Sequence, residues 1–410
     1  MNILVFTQYF WPESFRITDV TKTLAEKCET VEVLTGKPNY PAGEIFKGYK
    51  AWGCQHETHQ GSEIFRVPLR ARGRSGVSLA LNYLSFIITG ILFAPWLLRR
   101  KKYDVIFVYA PSPILQAIPA IFMGWLKGCP VVLWVQDLWP ASLTATGHVS
   151  NKLVLRLVES VVRFIYRHVD LLLVQSEAFT APVAELAGGT PIAYLPNSVD
   201  DSFVLGVAHD GPPLPGLDSA FSVLFAGNIG TAQNVDVIVE AASILRSYPE
   251  IQFVVVGDGS RRQAIFDEVS KRGLDNFHLP GRFPVEDMPA FMKRASALLV
   301  TLADQEIFSY TIPSKVQAYL AAGRPILASM NGIGAQVVMD AGAGFAVPAE
   351  SGSALAEAVL KLYRCSMEER ELMGANGAAY FAQHFSHEML VDRLVTILKN
   401  CIIDSKAKQK

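Results

Sequence analysis

The chain has 410 residues, half of them hydrophobic, which is enough to bury the cores of two domains of ordinary size. Its formal net charge of -1 argues against bulk binding of nucleic acid. Residues 1–200 carry 19 Lys and Arg against 15 Asp and Glu, whereas the remainder carries 18 against 23. This uneven balance favours two domains with different partners.

The five cysteines are scattered along the chain with no CxxC pair, which argues against a disulfide framework or a zinc site. A reducing cytoplasm is the simplest compartment for such a chain. The first residues, Met1–Phe6, lack a basic region and a cleavage site, and their apolar pattern predicts a buried strand rather than a signal peptide.

The first half of the chain alternates apolar strands with helix-length segments, as parallel strands buried on both faces do. The predicted strands are Ile3–Thr7, Val31–Thr35, Ile64–Val67, Val105–Tyr109, Val131–Val135 and Leu171–Gln175. The second half repeats the pattern at Ser222–Ala226, Gln252–Val256, Phe277–Leu279, Ala297–Val300 and Ile326–Ala328. Asp210–Gly216, rich in Pro and Gly, is interpreted as a linker between the halves.

These elements predict an α/β protein of two doubly wound, Rossmann-like domains that face a central cleft, with ligands at the carboxyl ends of the strands. The predicted domains are residues 1–205 and 217–385, followed by a C-terminal helix and tail at 386–410. The last helix is expected at about Glu388–Ile402, with a frayed polar tail after it.

Ser75–Leu98 is an unusual segment because its 24 residues carry no charge. Basic residues flank it on both sides, so the segment has no positive-inside asymmetry, and strands on both sides must join one sheet. We therefore predict that residues 75–102 lie in or dip into an anionic membrane surface. A helix packed inside the domain and a true membrane span remain as alternatives.

Three segments of the second half are typical of phosphate-binding sites. Phe225–Asn234 and Val254–Arg262 each run from a strand into glycines and then towards a helix, and Pro313–Leu327 offers a hydroxyl and an ammonium at a helix start. Ordinary strand-to-helix turns would look similar. The candidate donor-binding residues are Gly227, Asn228, Gly257, Asp258, Arg282, Ser314, Lys315 and Gln317.

Three residues of the first half are candidates for the acceptor side. Asp137 follows a buried strand, where its carboxylate could orient or deprotonate a hydroxyl, although it could equally cap a helix. Trp11 could stack on a sugar face and Glu13 could bind hydroxyls, with packing and solvation as the alternatives. The histidines form no HxxxH or HExxH arrangement, so the sequence predicts no metal site.

Taken in order, these motifs resemble glycosyltransferase family 4, retaining nucleotide-sugar transferases of GT-B fold. The resemblance covers nearly the whole chain. It rests on Tyr9–Glu13, Asn39–Gly43, Asp137–Pro140, Pro196–Asp200, the Gly227 loop, Gly257–Gly259 and Ala321–Pro325.

The resemblance implies a nucleotide diphosphate sugar held by the C-terminal domain and an acceptor held by the N-terminal domain. It also implies a C-terminal helix that returns to the first domain, and no metal or other cofactor. Within the family, the motifs look most like the branch that builds O-antigen and capsule repeat units. That branch suggests an N-acetyl-L-fucosamine-type donor and an acceptor that is a lipid-pyrophosphate-linked saccharide at the inner face of the cytoplasmic membrane.

Several positions depart from the family pattern. Asn228 and Gln233 stand where the family has Arg and Lys. The positive charge that binds the diphosphate is therefore expected from Lys315 and Arg282. Gln317 stands where a ribose-binding Glu is expected, and Glu306 is the candidate for the family's other, catalytic Glu. A sugar-nucleotide 2-epimerase of GT-B fold and a non-catalytic partner subunit are the rival interpretations.

Overall fold

The computed structural model describes residues 1–73, 75–145, 151–199 and 211–408. The chain forms two compact units. Unit 1 combines Met1–Pro196 with Glu388–Lys410, and unit 2 is Asn197–His387. The predicted end of the first domain, at residue 205, lies outside the described residues, as do Arg74 and Asp200 of the predicted motifs.

Unit 1 is built on an eight-stranded sheet with the order β3-β4-β2-β1-β5-β6-β7-β8. Its strands are β1 Asn2–Phe6, β2 Thr30–Thr35, β3 Gln55–His59, β4 Ser62–Arg66, β5 Val105–Ala110, β6 Val131–Val135, β7 Leu171–Val174 and β8 Ile192–Tyr194. All neighbours pair in parallel except β3 and β4, which form an antiparallel pair at one edge. The order reverses between β1 and β5, which creates a crevice at their carboxyl ends.

Helices connect these strands and cover the sheet. They are α1 Ile17–Lys27, α2 Gly76–Leu97, α3 Ala117–Lys127, α4 Ala141–Ala145, α5 Lys152–Arg167 and α6 Thr180–Ala187. Helices α2 and α3 approach closely at Gly90, because a Cβ added there would lie 2.9 Å from the Cβ of Pro119. Gly90 therefore lets the apolar α2 pack against the domain.

Unit 2 is a six-stranded parallel sheet with the order β11-β10-β9-β12-β13-β14. Its strands are β9 Phe221–Ala226, β10 Ile251–Val256, β11 Phe277–Gly281, β12 Ala297–Thr301, β13 Ile326–Ser329 and β14 Gly344–Val347. Its helices are α7 Asp236–Ile244, α8 Arg262–Arg272, α9 Met288–Arg294, α10 Glu306–Ser309, α11 Ser314–Ala322, α12 Ile333–Asp340, α13 Gly352–Arg364 and α14 Met367–His384. Separate apolar clusters fill the two faces of the sheet.

The last helix, α15 His387–Lys408, packs with unit 1. Leu390, Leu394 and Leu398 are buried in the same cluster as the β1 residues Ile3 and Val5. The predicted return of the C-terminal helix to the first domain is confirmed. The prediction of a frayed tail after residue 402 is wrong over most of that tail, because the helix continues to Lys408.

Every predicted strand is present, with ends that differ by at most two residues. Residues 211–216, which the sequence analysis interpreted as part of a linker between the halves, belong to unit 2. Leu214 is buried in a core cluster of that unit, and the guanidinium of Arg294 donates a 3.0 Å hydrogen bond to the carbonyl of Pro212. The stretch therefore packs against unit 2, and its last two residues lie in a turn.

The uncharged segment forms α2, which begins at Ser75, whose side chain caps the first turn. By length and composition α2 is the only helix in the described part of the chain that could cross a membrane, with 28% of its apolar window buried. One face, with Tyr83, Phe86 and Ala94, is buried in unit 1. The other face is exposed, so a helix buried on all sides is excluded.

Candidate functional site

Two glycine loops and a lysine meet at the carboxyl edge of the unit 2 sheet. Gly227 follows β9 with φ 142°, and Gly257 follows β10 with φ 146°. A Cβ on Gly257 would lie 1.8 Å from the carbonyl oxygen of Gly227, and one on Gly227 would lie 2.4 Å from the Cε of Lys315. Only glycine fits at these two positions, and the structure thus brings three predicted residues together. We call this group the Lys315 site.

The ammonium of Lys315 is buried and has no hydrogen-bond partner among the described residues. It lies 3.6 Å from the ring centroid of Phe225, a cation–π contact. Burial lowers the pKa of Lys315 to about 7, because the charged form is poorly solvated there. A buried, unpaired ammonium beside two glycine loops and a helix start has the charge and the hydrogen-bond donors that an anion requires.

Tyr319 joins α11 to the strand end before Gly227 and was missed by the sequence analysis. It lies one helical turn after Lys315, on the same face of α11, and is fully buried. Its hydroxyl accepts a 3.1 Å hydrogen bond from the backbone N–H of Ala226, the residue before Gly227. The signal in the sequence is the four-residue spacing between a lysine and a tyrosine at a helix start.

The other predicted donor-binding residues are exposed around this site. The side-chain amide of Asn228 donates to Gln233 at 3.1 Å, so the two amides that replace family cations bond to each other. The carboxylate of Asp258 accepts from the backbone N–H of Gly259 at 2.8 Å. Ser314 and Arg282 are solvent-accessible, at the first residue of α11 and just after β11.

The structure gives Gln317 a different role from the predicted ribose contact. Its side chain is only 2% exposed, and its amide donates a 2.7 Å hydrogen bond to the carbonyl of Asn197. Gln317 therefore ties α11 to the start of unit 2 rather than facing the Lys315 site. Glu306 begins α10 in an exposed position, where its carboxylate accepts a 2.7 Å hydrogen bond from the hydroxyl of Tyr310.

Asp137 lies just after β6, at the carboxyl edge of the unit 1 sheet. Burial alone raises the pKa of its carboxyl to about 6. No hydrogen bond to its carboxylate is formed by the described residues, although the negative charge acts on the phenols of Tyr83, Tyr109 and Tyr166. Near neutral pH this carboxylate is largely ionised and can accept a hydrogen bond from a bound hydroxyl.

Glu13 is a structural residue rather than an open hydroxyl-binding one. Its carboxylate is 3% exposed and accepts backbone N–H bonds from Asn39 at 2.8 Å, Tyr40 at 2.7 Å and Phe10 at 3.2 Å. Burial raises the pKa of Glu13 to about 7, against the opposing effect of these bonds. The predicted acceptor-binding role is not supported by this placement, because the carboxylate is used to fix the turn after β2.

Trp11 is half-buried, and its ring stacks on His59 with a centroid distance of 4.1 Å. Arg72, which the sequence analysis did not single out, belongs to the same region as Asp137, since both act electrostatically on the phenol of Tyr83. Its guanidinium is 5.3 Å from the ring centroid of Tyr40. The sequence signal for Arg72 was a basic residue a few positions beyond the end of a strand.

Metal ligands do not cluster in the part of the chain that the structure describes, where no group of three or more His, Cys, Asp or Glu side chains could hold an ion. The expectation of a metal-free protein stays a prediction.

Two family models match this chain and together span most of it. The model "Glycosyl transferase 4-like domain" matches residues 14–198, and "Glycosyl transferases group 1" matches residues 217–380. A "Probable glycosyltransferase WbjE" of Pseudomonas aeruginosa is 24% identical over 84% of this chain and 86% of its own length. A "Putative colanic acid biosynthesis glycosyl transferase WcaI" of Escherichia coli is 26% identical over 79% of this chain and 82% of its own length.

Solved structures match the fold. Sucrose-phosphate synthase from Thermosynechococcus elongatus has a TM-score of 0.72 at 15% identity and covers 98% of this chain and 100% of its own. Anabaena HepE in complex with UDP has a TM-score of 0.67 at 12% identity, with coverage of 98% and 100%. The solved structures show a GT-B fold, and the two family models define a glycosyltransferase. Within that class, the chain belongs to the glycosyltransferase family 4-like proteins.

Proposed function

We propose that the protein is a retaining, metal-independent glycosyltransferase that uses a nucleotide diphosphate sugar, with UDP as the first candidate nucleotide. The Lys315 site carries this proposal, because its unpaired ammonium faces glycine loops that let a diphosphate approach the backbone. In the transfer, the bond between the anomeric carbon and the diphosphate breaks, and a bond from an acceptor hydroxyl oxygen to that carbon forms. The hydroxyl proton leaves with the diphosphate.

The lysine has a specific task in this reaction. Negative charge builds up on the departing diphosphate, and an ammonium held by the fold stabilises it without reorganisation. Lys315 takes up a proton as the anion binds, since its pKa of about 7 in the free protein rises next to negative charge. Asp137 is proposed to orient the acceptor hydroxyl, and Glu306 to contact the donor.

The proposed acceptor is a lipid-pyrophosphate-linked saccharide at the inner face of the cytoplasmic membrane, in the synthesis of a polysaccharide such as O-antigen. The name of the relative WcaI refers to colanic acid biosynthesis, which supports this assignment. An N-acetyl-L-fucosamine-type donor is proposed from the family branch. The relatives described above carry transferase names and give the epimerase alternative no support.

A membrane contact by α2 is part of the proposal. Its outer face exposes a large apolar surface. The exposed side chains are Val77, Leu84, Ile88, Leu92, Phe93 and Trp96. Among the basic residues after the helix, Lys101 is unsuited to lipid contact because it pairs with Glu32 at 2.7 Å and Glu63 at 2.8 Å. Arg100 and Lys102 are exposed and are the better candidates for anionic headgroups.

A transfer assay tests the proposal. The purified protein is incubated with UDP-, GDP- and dTDP-sugars and a lipid-pyrophosphate-linked saccharide, and the lipid product is analysed by mass spectrometry and by NMR for anomeric configuration. We expect one added sugar, retained configuration and no loss of activity with a chelator. A product of inverted configuration, or an epimerised donor without any transfer, would contradict the proposal.

A further inference from the structure

Unit 1 contains an apolar groove of about 500 Å³ along the N-terminal half of α2. One wall is formed by α2 residues, among them Leu81, Leu84 and Ile88. The opposite wall is formed by Trp52 and by the segment after β4. Trp52 is 83% exposed, and Leu84 and Ile88 are about half exposed, so these side chains offer apolar area to an extended apolar ligand.

Hydrogen bonds hold the walls of the groove in place. The hydroxyl of Thr89 donates to the carbonyl of Pro68 at 2.7 Å, and the hydroxyl of Ser85 accepts from the backbone N–H of Arg70 at 3.1 Å. The backbone N–H of Leu69 donates to the carbonyl of Ala51 at 3.1 Å. The groove is therefore a built feature of the fold, with these polar groups of its walls satisfied.

A cation lies at this groove. Arg70 lines it, is exposed, and its guanidinium makes no hydrogen bond or ion pair with the residues that the structure describes. Two residues later, Arg72 lies against Tyr40 and acts on the phenol of Tyr83. An apolar groove with one arginine in its lining and a second arginine two residues later in the chain is complementary to an apolar chain that carries phosphate groups.

Helix α2 is shared by the groove and by the Asp137 region. Leu84 lines the groove, whereas the adjacent Tyr83 is buried on the inner side of the helix and interacts with Asp137. One turn of α2 thus carries a residue that lines the groove and a residue on which the charge of the proposed acceptor carboxylate acts. A ligand with its chain in the groove would present its polar end near Asp137.

We propose that this groove binds the polyprenyl chain of the acceptor and that Arg70 and Arg72 bind its pyrophosphate, which holds the saccharide next to Asp137. The inference rests on the proposed lipid-pyrophosphate acceptor and adds where the lipid lies. It also separates two surfaces of α2. Leu84 and Ile88 contact the isoprenoid of a single acceptor, whereas Leu92 and Phe93 contact the bulk membrane.

Binding of farnesyl pyrophosphate, in buffer without vesicles, tests the groove. Emission from Trp52 reports binding, and Trp52→Phe identifies its share of the signal. We expect saturable binding that is at least tenfold weaker in the double variant Leu84→Gln/Ile88→Gln, because half-exposed apolar side chains lose their contact with the chain. Arg70→Gln should weaken binding about tenfold through loss of a charge-assisted contact.

The matched control is Leu92→Gln/Phe93→Gln, on the same helix but outside the groove. It should bind farnesyl pyrophosphate within twofold of the unchanged protein and should bind phosphatidylglycerol vesicles more weakly. Inorganic pyrophosphate and farnesol should each bind at least tenfold more weakly than farnesyl pyrophosphate. Absence of saturable binding, or equal loss in the groove and control variants, would overturn the inference.

Transfer assays separate this inference from the proposed function. If the unchanged protein glycosylates a lipid-linked saccharide and the groove variants do so with the same KM, the groove inference fails while the glycosyltransferase proposal stands. If no lipid-linked saccharide is glycosylated although farnesyl pyrophosphate binds, the proposed acceptor fails instead. The expected result is a raised KM for the lipid-linked acceptor in the groove variants, with kcat nearly unchanged.

Discussion

Replacing Lys315 by methionine keeps the unbranched apolar part of the side chain and removes its charged end. In the folded protein the pKa of Lys315 falls from 10.5 to about 7 because the ammonium is buried. The protonated form therefore destabilises the fold by about 5 kcal/mol below pH 7, since each pKa unit corresponds to about 1.4 kcal/mol. We expect Lys315→Met to stabilise the free protein and to weaken UDP binding by about ten- to a hundredfold, the range for a charge-assisted contact.

The sign of the pH dependence follows from the lowered pKa. The unfolded chain binds more protons than the folded one between pH 7 and 10.5, so the destabilising effect is complete below pH 7 and disappears as the pH rises through that window. The stability advantage of Lys315→Met should therefore shrink by about 1.4 kcal/mol for each pH unit above 7. The unfolding free energies of both proteins, measured at several pH values, give this difference. The contributions of all other titrating groups cancel in it, because both proteins share those groups.

Isothermal titration calorimetry tests the same residue through ligand binding. At pH 8 only about one Lys315 in ten is protonated in the free protein, so UDP binding should take up about 0.9 proton. The binding enthalpy should then change with the ionisation enthalpy of the buffer for the unchanged protein but not for Lys315→Met. Equal buffer dependence in both proteins, or UDP affinities within twofold, would refute the assignment of Lys315 to the diphosphate.

Three further predictions concern other parts of the molecule. Asp137→Asn should lower kcat about a hundredfold or more with UDP affinity unchanged, which rate and calorimetric measurements check. Gly227→Ala should weaken UDP binding at least tenfold, because the added Cβ would displace the end of Lys315, whereas Gly48→Ala, at a glycine with open space and a positive φ, should leave UDP binding unchanged. Neutralising Arg100 and Lys102 should release the protein from anionic vesicles but not change its thermal unfolding, in contrast to loss of the paired Lys101.

The sequence was sufficient to predict most of the fold because the parallel strands are continuous apolar runs bounded by turn residues. Val131–Val135 is an example, and its predicted and observed bounds agree. The strands that were missed lack that signal. β3, Gln55–His59, is a polar antiparallel edge strand, and β8, Ile192–Tyr194, and β14, Gly344–Val347, are short and only half-buried. Such strands depend on pairing with a neighbour that the local sequence does not reveal.

The direction of side chains limited the prediction of the site. Lys315 and Gln317 were both assigned to the nucleotide-sugar donor, to its diphosphate and its ribose respectively, but residues two apart lie about 200° apart around a helix axis. Lys315 therefore faces Gly227, whereas Gln317 faces Asn197. The glycine loops after β9 and β10 were recognisable because a positive φ restricts the residue type, whereas their contact with a donor stays a prediction. No comparable restriction exists for Glu13, whose chemistry suits either hydroxyls or backbone N–H groups.

Two buried cations of this chain, Arg66 and Lys315, differ in whether the fold supplies hydrogen-bond partners for their charge. Arg66 is 0% exposed, and its guanidinium is fully used, since it donates to the carboxylate of Glu57 and to the carbonyls of Gly36 and Trp11. Such a cation holds the loops after β1 and β2, and removing it would leave buried partners unpaired. Lys315 has no such partners among the described residues, so its burial destabilises the free protein and is compensated only when an anion binds. The unpaired cation, rather than the satisfied one, is therefore the residue whose replacement should separate ligand binding from stability.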